Sequence, residues 1–334
     1  MKWGIIGAGL IGKKRALALS ELGEEILLVS DLDLAKADSL AKECNARSSS
    51  NWKEVARSRE IDAVIVATTH DFLSKITVES LKHGKHVLVE KPAGRTPSEV
   101  KKIIRAQEKS GHKVCVGFNH RFHPAVLEAK KICDLAPFGH LLYMRARYGH
   151  GGRPGYEKEW RFNPQVSGGG QLIDQGSHLI DLSSFFAGKP MSLSYSLCKN
   201  YFWKAQAEDT SVLVLESDKG NSAVLQTSCT QWKNLFSFEI FFERAQLNID
   251  GLGGSYGTET LTIYKMKPEM GPPDTEIKKF EGADTSFKSE ISDFISLING
   301  KPSICANAGD ALASISIISR AYKKTAKGKS APGS

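Results

Sequence analysis

The sequence predicts an α/β protein in which a doubly wound parallel sheet is followed by an α/β domain with a largely antiparallel sheet. Short apolar runs rich in β-formers alternate with amphipathic helices up to about residue 120. Later strand-like runs follow one another across short turns, which favours antiparallel pairing. We therefore expect one domain over residues 1–120 and another over residues 121–334, with the final helices packing near the domain junction.

Strand and helix alternate throughout the first domain. In order, the segments are KWGII, a helix from about Leu10 to Leu22, EILLVSD, a helix from near Leu34, IDAVIVAT, DFLSKITVESLKHG, KHVLVEKP, TPSEVKKIIRAQEKSG and KVCVGFN. The second domain begins with a helix near Pro124 to Asp134, the strand LLYMRARYG, a loop rich in Gly, Arg and Pro, and a helix within SGGGQLIDQGSHLIDL. Six strand-like runs come next, SLSYSLCKN, TSVLVLES, SAVLQTSCT, LFSFEIFFE, AQLNID and TLTIYKM, and then helices around Phe287 to Ile298 and Ala308 to Lys324.

Composition and charge are those of an ordinary soluble protein. The 334 residues are 41% hydrophobic and 25% charged, with a formal net charge of +8. The basic residues are spread in pairs, so nucleic acid is not an expected partner. The sequence has no run of about 18 apolar residues, which argues against a membrane partner. The six cysteines lack the spacing of a metal site, and we expect a reduced, cytoplasmic protein without a metal.

A glycine fingerprint follows the first strand and opens the first helix. It matches G-x-G-x-x-G over Gly7, Ala8, Gly9, Leu10, Ile11 and Gly12. The first glycine permits a tight turn, the second lets the backbone approach a pyrophosphate, and the third lets helix and strand pack closely. The segment therefore predicts a dinucleotide site with the diphosphate at the helix N-terminus.

Asp31 ends the second strand, nineteen residues beyond Gly12. A carboxylate there can accept hydrogen bonds from an adenosine ribose and repel a 2'-phosphate, so NAD is favoured while NADP stays possible. Asp31 could instead cap the next helix, a role that Asp33 fills equally well. Lys36 or Arg15 could still meet a phosphate.

Several motifs in a fixed order resemble the Gfo/Idh/MocA family of oxidoreductases. They are GAGLIG, IDAVIVAT, the Glu90-Lys91-Pro92 turn, VGFNHRFHP, WRFNPQVSGGGQLIDQGSHLIDL and EDTSVLVLES. The resemblance covers nearly the whole chain. It implies a Rossmann domain, then an α/β domain whose outer sheet face commonly forms subunit contacts, and hence a homodimer or homotetramer. It also implies NAD(P)-dependent hydride transfer to or from a secondary alcohol of a sugar, cyclitol or sugar derivative, which includes sugar nucleotides.

Three residues match the catalytic positions of the family. Lys91 matches the Glu-Lys-Pro lysine, and Asp174 and His178 match its Asp-x-Gly-x-His pair. A histidine titrates in the range that suits a general base, so His178 is the candidate base. Asp174 would orient it or bind a substrate hydroxyl, and Lys91 would stabilise alkoxide charge across the cleft. The alternatives are a core histidine and a carboxylate favoured by a helix N-terminus; Asp181 could contact His178 or face solvent.

Two further groups of residues are candidate contacts. Predicted cofactor contacts are Gly7, Gly9, Leu10, Ile11, Gly12, Asp31, Thr68, Thr69, His70, Glu90, Lys91 and Asn119. Predicted substrate contacts are Lys91, Arg121, Tyr148, Arg153, Trp160, Arg161, Asp174 and His178. After IDAVIVAT, relatives often read Thr-Pro where this chain reads Thr68-Thr69-His70-Asp71, which leaves the nicotinamide contacts open there. Arg121 could equally form an interdomain ion pair, and the loop before Asp174 could simply be ordered by Trp160.

Two other functions remain as alternatives on the same fold. One is an NAD-dependent glycoside hydrolase, in which transient oxidation of a hydroxyl permits elimination. The other is a catalytically inactive, dinucleotide-sensing regulatory protein, against which the presence of Lys91, Asp174 and His178 together argues.

Overall fold

The computed structural model describes residues 1–218 and 220–329, so the last five residues of the predicted second domain lie outside it. Its first elements are β1 (Lys2–Ile6), α1 (Leu10–Glu21), β2 (Glu25–Ser30), α2 (Leu34–Glu43), β3 (Arg47–Ser49), α3 (Trp52–Arg57), β4 (Ala63–Val66), α4 (His70–Lys82), β5 (His86–Glu90), α5 (Pro97–Ser110) and β6 (Val114–Gly117). They are followed by α6 (Pro124–Leu135), β7 (Leu141–Gly149), α7 (Pro164–Ser167), a π-helical turn (Leu172–Gly176), α8 (Ser177–Ala187), β8 (Ser192–Lys199), β9 (Thr210–Glu216), β10 (Ser222–Ser228), β11 (Leu235–Phe242), β12 (Ala245–Asp250), β13 (Glu259–Lys265), β14 (Asp274–Phe280), α9 (Ser286–Ile298) and α10 (Ala308–Lys329).

A six-stranded parallel sheet in the order β3-β2-β1-β4-β5-β6 forms the centre of the first unit. Strands β4 and β6 are buried along their whole length because helices cover both faces, as their near-continuous apolar sequences predict. The order steps outward from β1 in both directions, so the carboxyl ends of β1 and β4 form the switch point at which doubly wound sheets bind ligands.

The first unit comprises Met1–Asn119 and also Thr285–Ile315. The sequence predicts that the later segment belongs to the second domain; this is wrong, because the segment packs with the elements of the parallel sheet. Phe294 of α9 meets the fully buried Trp3 edge-on, with ring centroids 6.2 Å apart. The fully buried Arg15 of α1 forms ion pairs with Glu290 of α9 and with Glu90 at the end of β5. Burial of apolar rings and of this charge cluster therefore attaches α9 to the first unit.

The second unit comprises His120–Asp284 and the residues from Ser316 onward. Its eight-stranded sheet has the order β14-β13-β12-β11-β7-β10-β9-β8. All neighbours pair antiparallel except β7 and β10, which run parallel. Helices α6 and α8 contact this sheet, and on β7 the side chains of Met144 and Ala146 are buried whereas those of Tyr143 and Arg145 are exposed. The predicted fold class, a Rossmann parallel sheet plus a largely antiparallel sheet, is confirmed.

Candidate active site

The glycine fingerprint forms the turn between β1 and α1, and its three glycines have different surroundings. Gly7 has φ +103°, and a Cβ there would lie 2.3 Å from the Ala67 carbonyl oxygen; a Cβ at Gly12 would lie 1.9 Å from the Gly7 carbonyl oxygen. Gly9 has no such neighbour within 4 Å. Sterics of the protein itself therefore require the first and third glycines, whereas the second leaves the backbone open to a close ligand.

The N-terminus of α1 suits an anion. Gly9 is its N-cap and provides no side-chain hydrogen bond, and the first turn contains no acidic residue. The early backbone N–H groups of a helix have no intrahelical acceptor and carry the positive end of the helix dipole. The residues at this turn therefore fit the diphosphate of a dinucleotide.

The Asp31 side chain belongs to the glycine turn and not to the next helix. Its Oδ2 accepts a hydrogen bond from the Ala8 N–H at 2.8 Å, and its Oδ1 accepts one from the Asp33 N–H at 3.0 Å. Asp33 itself caps α2, because its Oδ1 accepts from the Ala35 N–H at 3.1 Å. The capping alternative for Asp31 is therefore wrong.

Neither basic alternative for a 2'-phosphate is supported by its contacts. Arg15 is fully buried, and its Nε and Nη2 donate to Glu90 at 2.9 and 2.7 Å. Its third partner is Glu290. Lys36, which is exposed, pairs with Asp33 at 3.3 Å. The suggestion that Arg15 meets a phosphate is therefore wrong.

The other predicted cofactor residues of the first unit lie at strand ends. Thr68 and Thr69 follow β4, and the Thr69 hydroxyl donates to Asp71 at 2.7 Å at the start of α4, beside the buried His70. Leu10 and Ile11 begin α1, with Leu10 mostly exposed. Lys91 follows β5, is partly buried, and joins Pro92 through a cis peptide. The Asn119 amide donates to the Ser286 hydroxyl at 2.8 Å.

In the second unit, Asp174 lies in the π-helical turn and His178 in the first turn of α8. The sequence predicts a regular helix across this stretch, and the π-helical turn Leu172–Gly176 departs from that prediction. The apolar side chains of this stretch are buried, namely Leu172, Ile173, Leu179, Ile180 and Leu182. Asp174 Oδ2 lies 3.3 Å from Nε of Arg161, a predicted substrate contact.

His178 is part of a cluster of rings that the sequence only partly indicated. Its imidazole stacks on that of His120, with centroids 3.8 Å apart and planes 22° apart. The ring centroid of Tyr148 lies 5.3 Å from that of His120 and 6.4 Å from that of His178. His120 and Tyr256, which contacts Tyr148 at 5.5 Å, were not predicted. The FNHRFHP motif was the available signal for His120, whereas Tyr256 comes from a distant loop.

Burial keeps the hydroxyls of this cluster protonated. Burial raises the pKa of Tyr148 well above its usual range, and the nearby Tyr256 and Asp174 add to the rise. Burial likewise raises the pKa of Tyr256, although hydrogen bonds from Tyr148 and Gln175 oppose it. Both phenols are therefore hydrogen-bonding groups at neutral pH and not bases.

The remaining predicted substrate residues are held by ion pairs within the second unit. Arg121 forms two hydrogen bonds with Asp181, at 2.8 and 2.6 Å, and both side chains are buried. Asp181, expected to contact His178 or face solvent, is thus the partner of Arg121. Arg153 forms an ion pair with Glu159, with Nη2 2.5 Å from Oε1. Arg161 also makes a cation–π contact, in which its Cζ lies 4.8 Å from the centroid of the Trp160 ring.

His150 directly follows β7 and has a defined tautomer. The Gly152 N–H donates to His150 Nδ1 at 2.9 Å, so this nitrogen carries no proton, and Nε2 lies 3.3 Å from the Tyr156 hydroxyl. Burial lowers the pKa of His150. The imidazole is therefore neutral and donates through Nε2.

Residues 1–218 and 220–329 contain neither a candidate metal site nor a candidate membrane span. No group of three or more His, Cys, Asp or Glu there could hold a metal ion. None of the helices in that part of the chain combines the length and apolar character needed to cross a bilayer.

Comparison with known proteins identifies the family. Residues 1–118 match the model described as "Oxidoreductase family, NAD-binding Rossmann fold", and residues 126–248 match the "GFO/IDH/MocA C-terminal domain". The chain belongs to the Gfo/Idh/MocA family. Membership confirms the resemblance, and the first match confirms NAD as the cofactor class of the Rossmann domain.

Named relatives in the Gfo/Idh/MocA family include two dehydrogenases. The chain is 30% identical over 198 residues to levoglucosan dehydrogenase of Pseudarthrobacter phenanthrenivorans, which covers 56% of this chain and 51% of the relative. It is 28% identical over 226 residues to inositol 2-dehydrogenase 2 of Saccharopolyspora erythraea, covering 66% and 64%. The chain thus spans about half to two thirds of the length of these relatives.

Solved structures share the fold over nearly the full length. Levoglucosan dehydrogenase in complex with NADH and levoglucosan superposes with a TM-score of 0.87 at 20% identity, covering 98% of this chain and 97% of that one. This likeness establishes the two-domain fold of the Gfo/Idh/MocA family for the chain.

Proposed function

We propose that the chain is an NAD-dependent dehydrogenase or reductase that acts on a secondary alcohol of a sugar, cyclitol or sugar derivative. The observation that carries the proposal is the His178 imidazole, which is mostly buried, stacked on His120 and one helical turn from Asp174. This group lies in a chain whose first 118 residues match an NAD-binding family model. The named relatives, a levoglucosan and an inositol dehydrogenase, support a carbohydrate-like substrate.

His178 is the proposed general base. Oxidation of an alcohol requires removal of the hydroxyl proton, and an imidazole exchanges protons near neutral pH. Stacking on His120 limits rotation of the ring and so presents one nitrogen in a fixed direction. Bound NAD⁺ would supply the acceptor for the hydride that leaves the carbon bearing that hydroxyl group. In the reverse direction His178 returns the proton to a ketone oxygen.

Asp174 and Lys91 are proposed to bind the substrate around that proton transfer. The Asp174 carboxylate accepts a hydrogen bond from a neighbouring hydroxyl, and Arg161, whose Nε lies 3.3 Å from Oδ2, orients it. The Lys91 ammonium offsets negative charge that develops on the reacting oxygen. Tyr148, beside both imidazoles, is proposed to contact the sugar ring.

A substrate panel tests the proposal. Sugars, inositols and sugar nucleotides, including levoglucosan and myo-inositol, are incubated with NAD⁺ and followed by NADH absorbance and chromatography. We expect NADH formation with at least one compound, and a loss of about 10²- to 10⁴-fold in kcat for His178→Asn and Lys91→Ala. His140→Asn, at an exposed histidine, is the matched control.

Other outcomes of the panel point to other functions. Release of an aglycone without net NADH formation would indicate the glycoside hydrolase. NAD⁺ binding with no turnover on any compound would indicate the sensing protein. Wild-type rates in both variants would exclude the catalytic assignment.

We also propose that the chain forms a homodimer or homotetramer through the outer face of the eight-stranded sheet. Tyr143, Val224 and Ile277 are 42%, 41% and 58% exposed on its strands, and the Tyr143 ring stacks on Phe241. Burial of such side chains against a second copy removes apolar surface from water.

A further inference from the structure

Two glycines before the π-helical turn lie against two residues from distant parts of the second unit, Glu208 and Tyr322. A Cβ on Gly169 would lie 2.0 Å from the Tyr322 hydroxyl oxygen, and a Cβ on Gly170 would lie 2.0 Å from the Glu208 carbonyl oxygen. Gly168, the C-cap that follows α7, has φ +85°. These glycines therefore admit Glu208 and Tyr322 close to the backbone, a reason that local sequence does not reveal.

Glu208 gathers the backbone donors of this segment. Its Oε1 accepts from the Leu172 N–H at 2.9 Å, and both carboxylate oxygens lie within 3.2 Å of the Gly170 N–H. The Glu208 main-chain carbonyl accepts from the Gln171 N–H at 3.1 Å. Three successive N–H groups at the start of the helical segment are thus satisfied by one residue, in the manner of a helix cap.

Tyr322 of α10 completes the contact. Its hydroxyl donates to Glu208 Oε1 at 2.8 Å and lies 3.3 Å from the Gly170 nitrogen. Burial raises the pKa of Tyr322, with the adjacent Glu208 adding to the rise, so the phenol keeps the proton that it donates. Burial also raises the pKa of Glu208, but the donors around it favour the carboxylate. The two side chains form one connected hydrogen-bonded unit.

We propose that Glu208 and Tyr322 are positioning residues that fix the backbone of Gly170 to Leu172 and thereby aim Asp174 and His178. We call the hydrogen-bonded pair of Glu208 and Tyr322 the clamp. The π-helical turn begins at Leu172, whose N–H group donates to the clamp, and Asp174 follows two residues later. Loss of the clamp would let the turn change its hydrogen-bond register and move the carboxylate and imidazole together. The kinetic part of this inference rests on the proposed function, whereas the structural part does not.

The experiment compares Glu208→Gln and Tyr322→Phe with Glu216→Gln, an exposed glutamate at the C-terminal end of β9. Gln offers one acceptor oxygen and turns an NH₂ group toward N–H donors, and Phe removes only the hydroxyl. Hydrogen exchange of peptides covering residues 168–182 is measured by mass spectrometry. We expect the amides of residues 170–172 to exchange about tenfold faster in both variants and at the wild-type rate in the control.

Kinetics supply the readout that a merely structural role would not change. On the substrate found in the panel, we expect kcat to fall about 10- to 100-fold, with the Kd for NAD⁺ unchanged and the melting temperature of Tyr322→Phe close to wild type. Unchanged exchange in Tyr322→Phe and Glu208→Gln would overturn the clamp. Faster exchange with unchanged kcat would overturn the positioning role. If no alcohol is oxidised, the proposed function fails, and the exchange data still decide whether the clamp exists.

Discussion

Replacement of Asp31 by Asn tests how the chain distinguishes NAD from NADP. Asp31 is partly buried and accepts from the Ala8 and Asp33 N–H groups, so its charge is held beside the glycine turn. Asn keeps one acceptor oxygen in nearly the same shape. The substitution therefore removes the charge while preserving most of the turn.

The size of the effect follows from Coulomb's law. Two unit charges about 4 Å apart interact by about 1 kcal/mol in water and about 4 kcal/mol at an effective dielectric constant near 20. A 2'-phosphate carries nearly two charges, and the partly exposed position of Asp31 favours the lower end. We expect about 2–3 kcal/mol, which is a change of about 30- to 150-fold in the ratio of the two dissociation constants.

Isothermal titration calorimetry with NAD⁺ and NADP⁺ measures this ratio in wild type and Asp31→Asn. Asp33→Asn is the matched control, because it removes the same charge two residues away and Asn is an equally good N-cap. We expect NADP⁺ to gain affinity in Asp31→Asn alone, and NAD⁺ to lose a few-fold. Wild-type preference for NADP⁺, or an equal shift in both variants, would refute the reasoning.

Two further substitutions test stability. Glu290→Gln breaks a buried ion pair with Arg15, and we expect the free energy of unfolding in urea to fall by about 3 kcal/mol, the lower end of the usual range because Glu90 still pairs with Arg15. The control Glu43→Gln removes an exposed pair with Lys13 and should lower the free energy of unfolding by less than about 1 kcal/mol. Equal losses in the two variants would contradict this reasoning. His150→Gln tests pH dependence. The folded-state pKa of His150 is lowered, so the unfolded chain binds its proton first, and wild-type stability falls as pH drops below about 6.5. The variant should lose less stability between pH 7.5 and 5.5, and an identical loss would show that His150 does not contribute.

The two strands that sequence reasoning missed share a physical feature. It did not predict β3 (Arg47–Ser49) with the adjoining α3, nor β14 (Asp274–Phe280). Both strands lie at sheet edges, where side chains meet water and the apolar periodicity that indicates a strand is absent. The buried strands, by contrast, have apolar sequences and were all predicted.

Contacts between residues far apart in the sequence explain why the sequence alone places α9 in the wrong domain. Nothing in the sequence around Glu290 shows that its carboxylate meets Arg15, 275 positions earlier. Composition and periodicity define a helix there, and they carry no information on which sheet the helix covers. The same holds for Asp181, whose partner Arg121 lies 60 residues away.

The π-helical turn of the candidate site is a second feature that the local sequence does not reveal. Motif order identified Asp174 and His178, but only the structure shows that a π-helical turn carries the first of them. A π turn is rare in proteins and is frequent at functional sites. Here the N–H groups at its start are bound by Glu208 and supported by Tyr322, so contacts from β9's leading loop and from α10 can hold a conformation that the local sequence would not favour. The backbone that leads into Asp174 is therefore held by tertiary contacts, and Gly169 and Gly170 permit those contacts because neither has a Cβ atom.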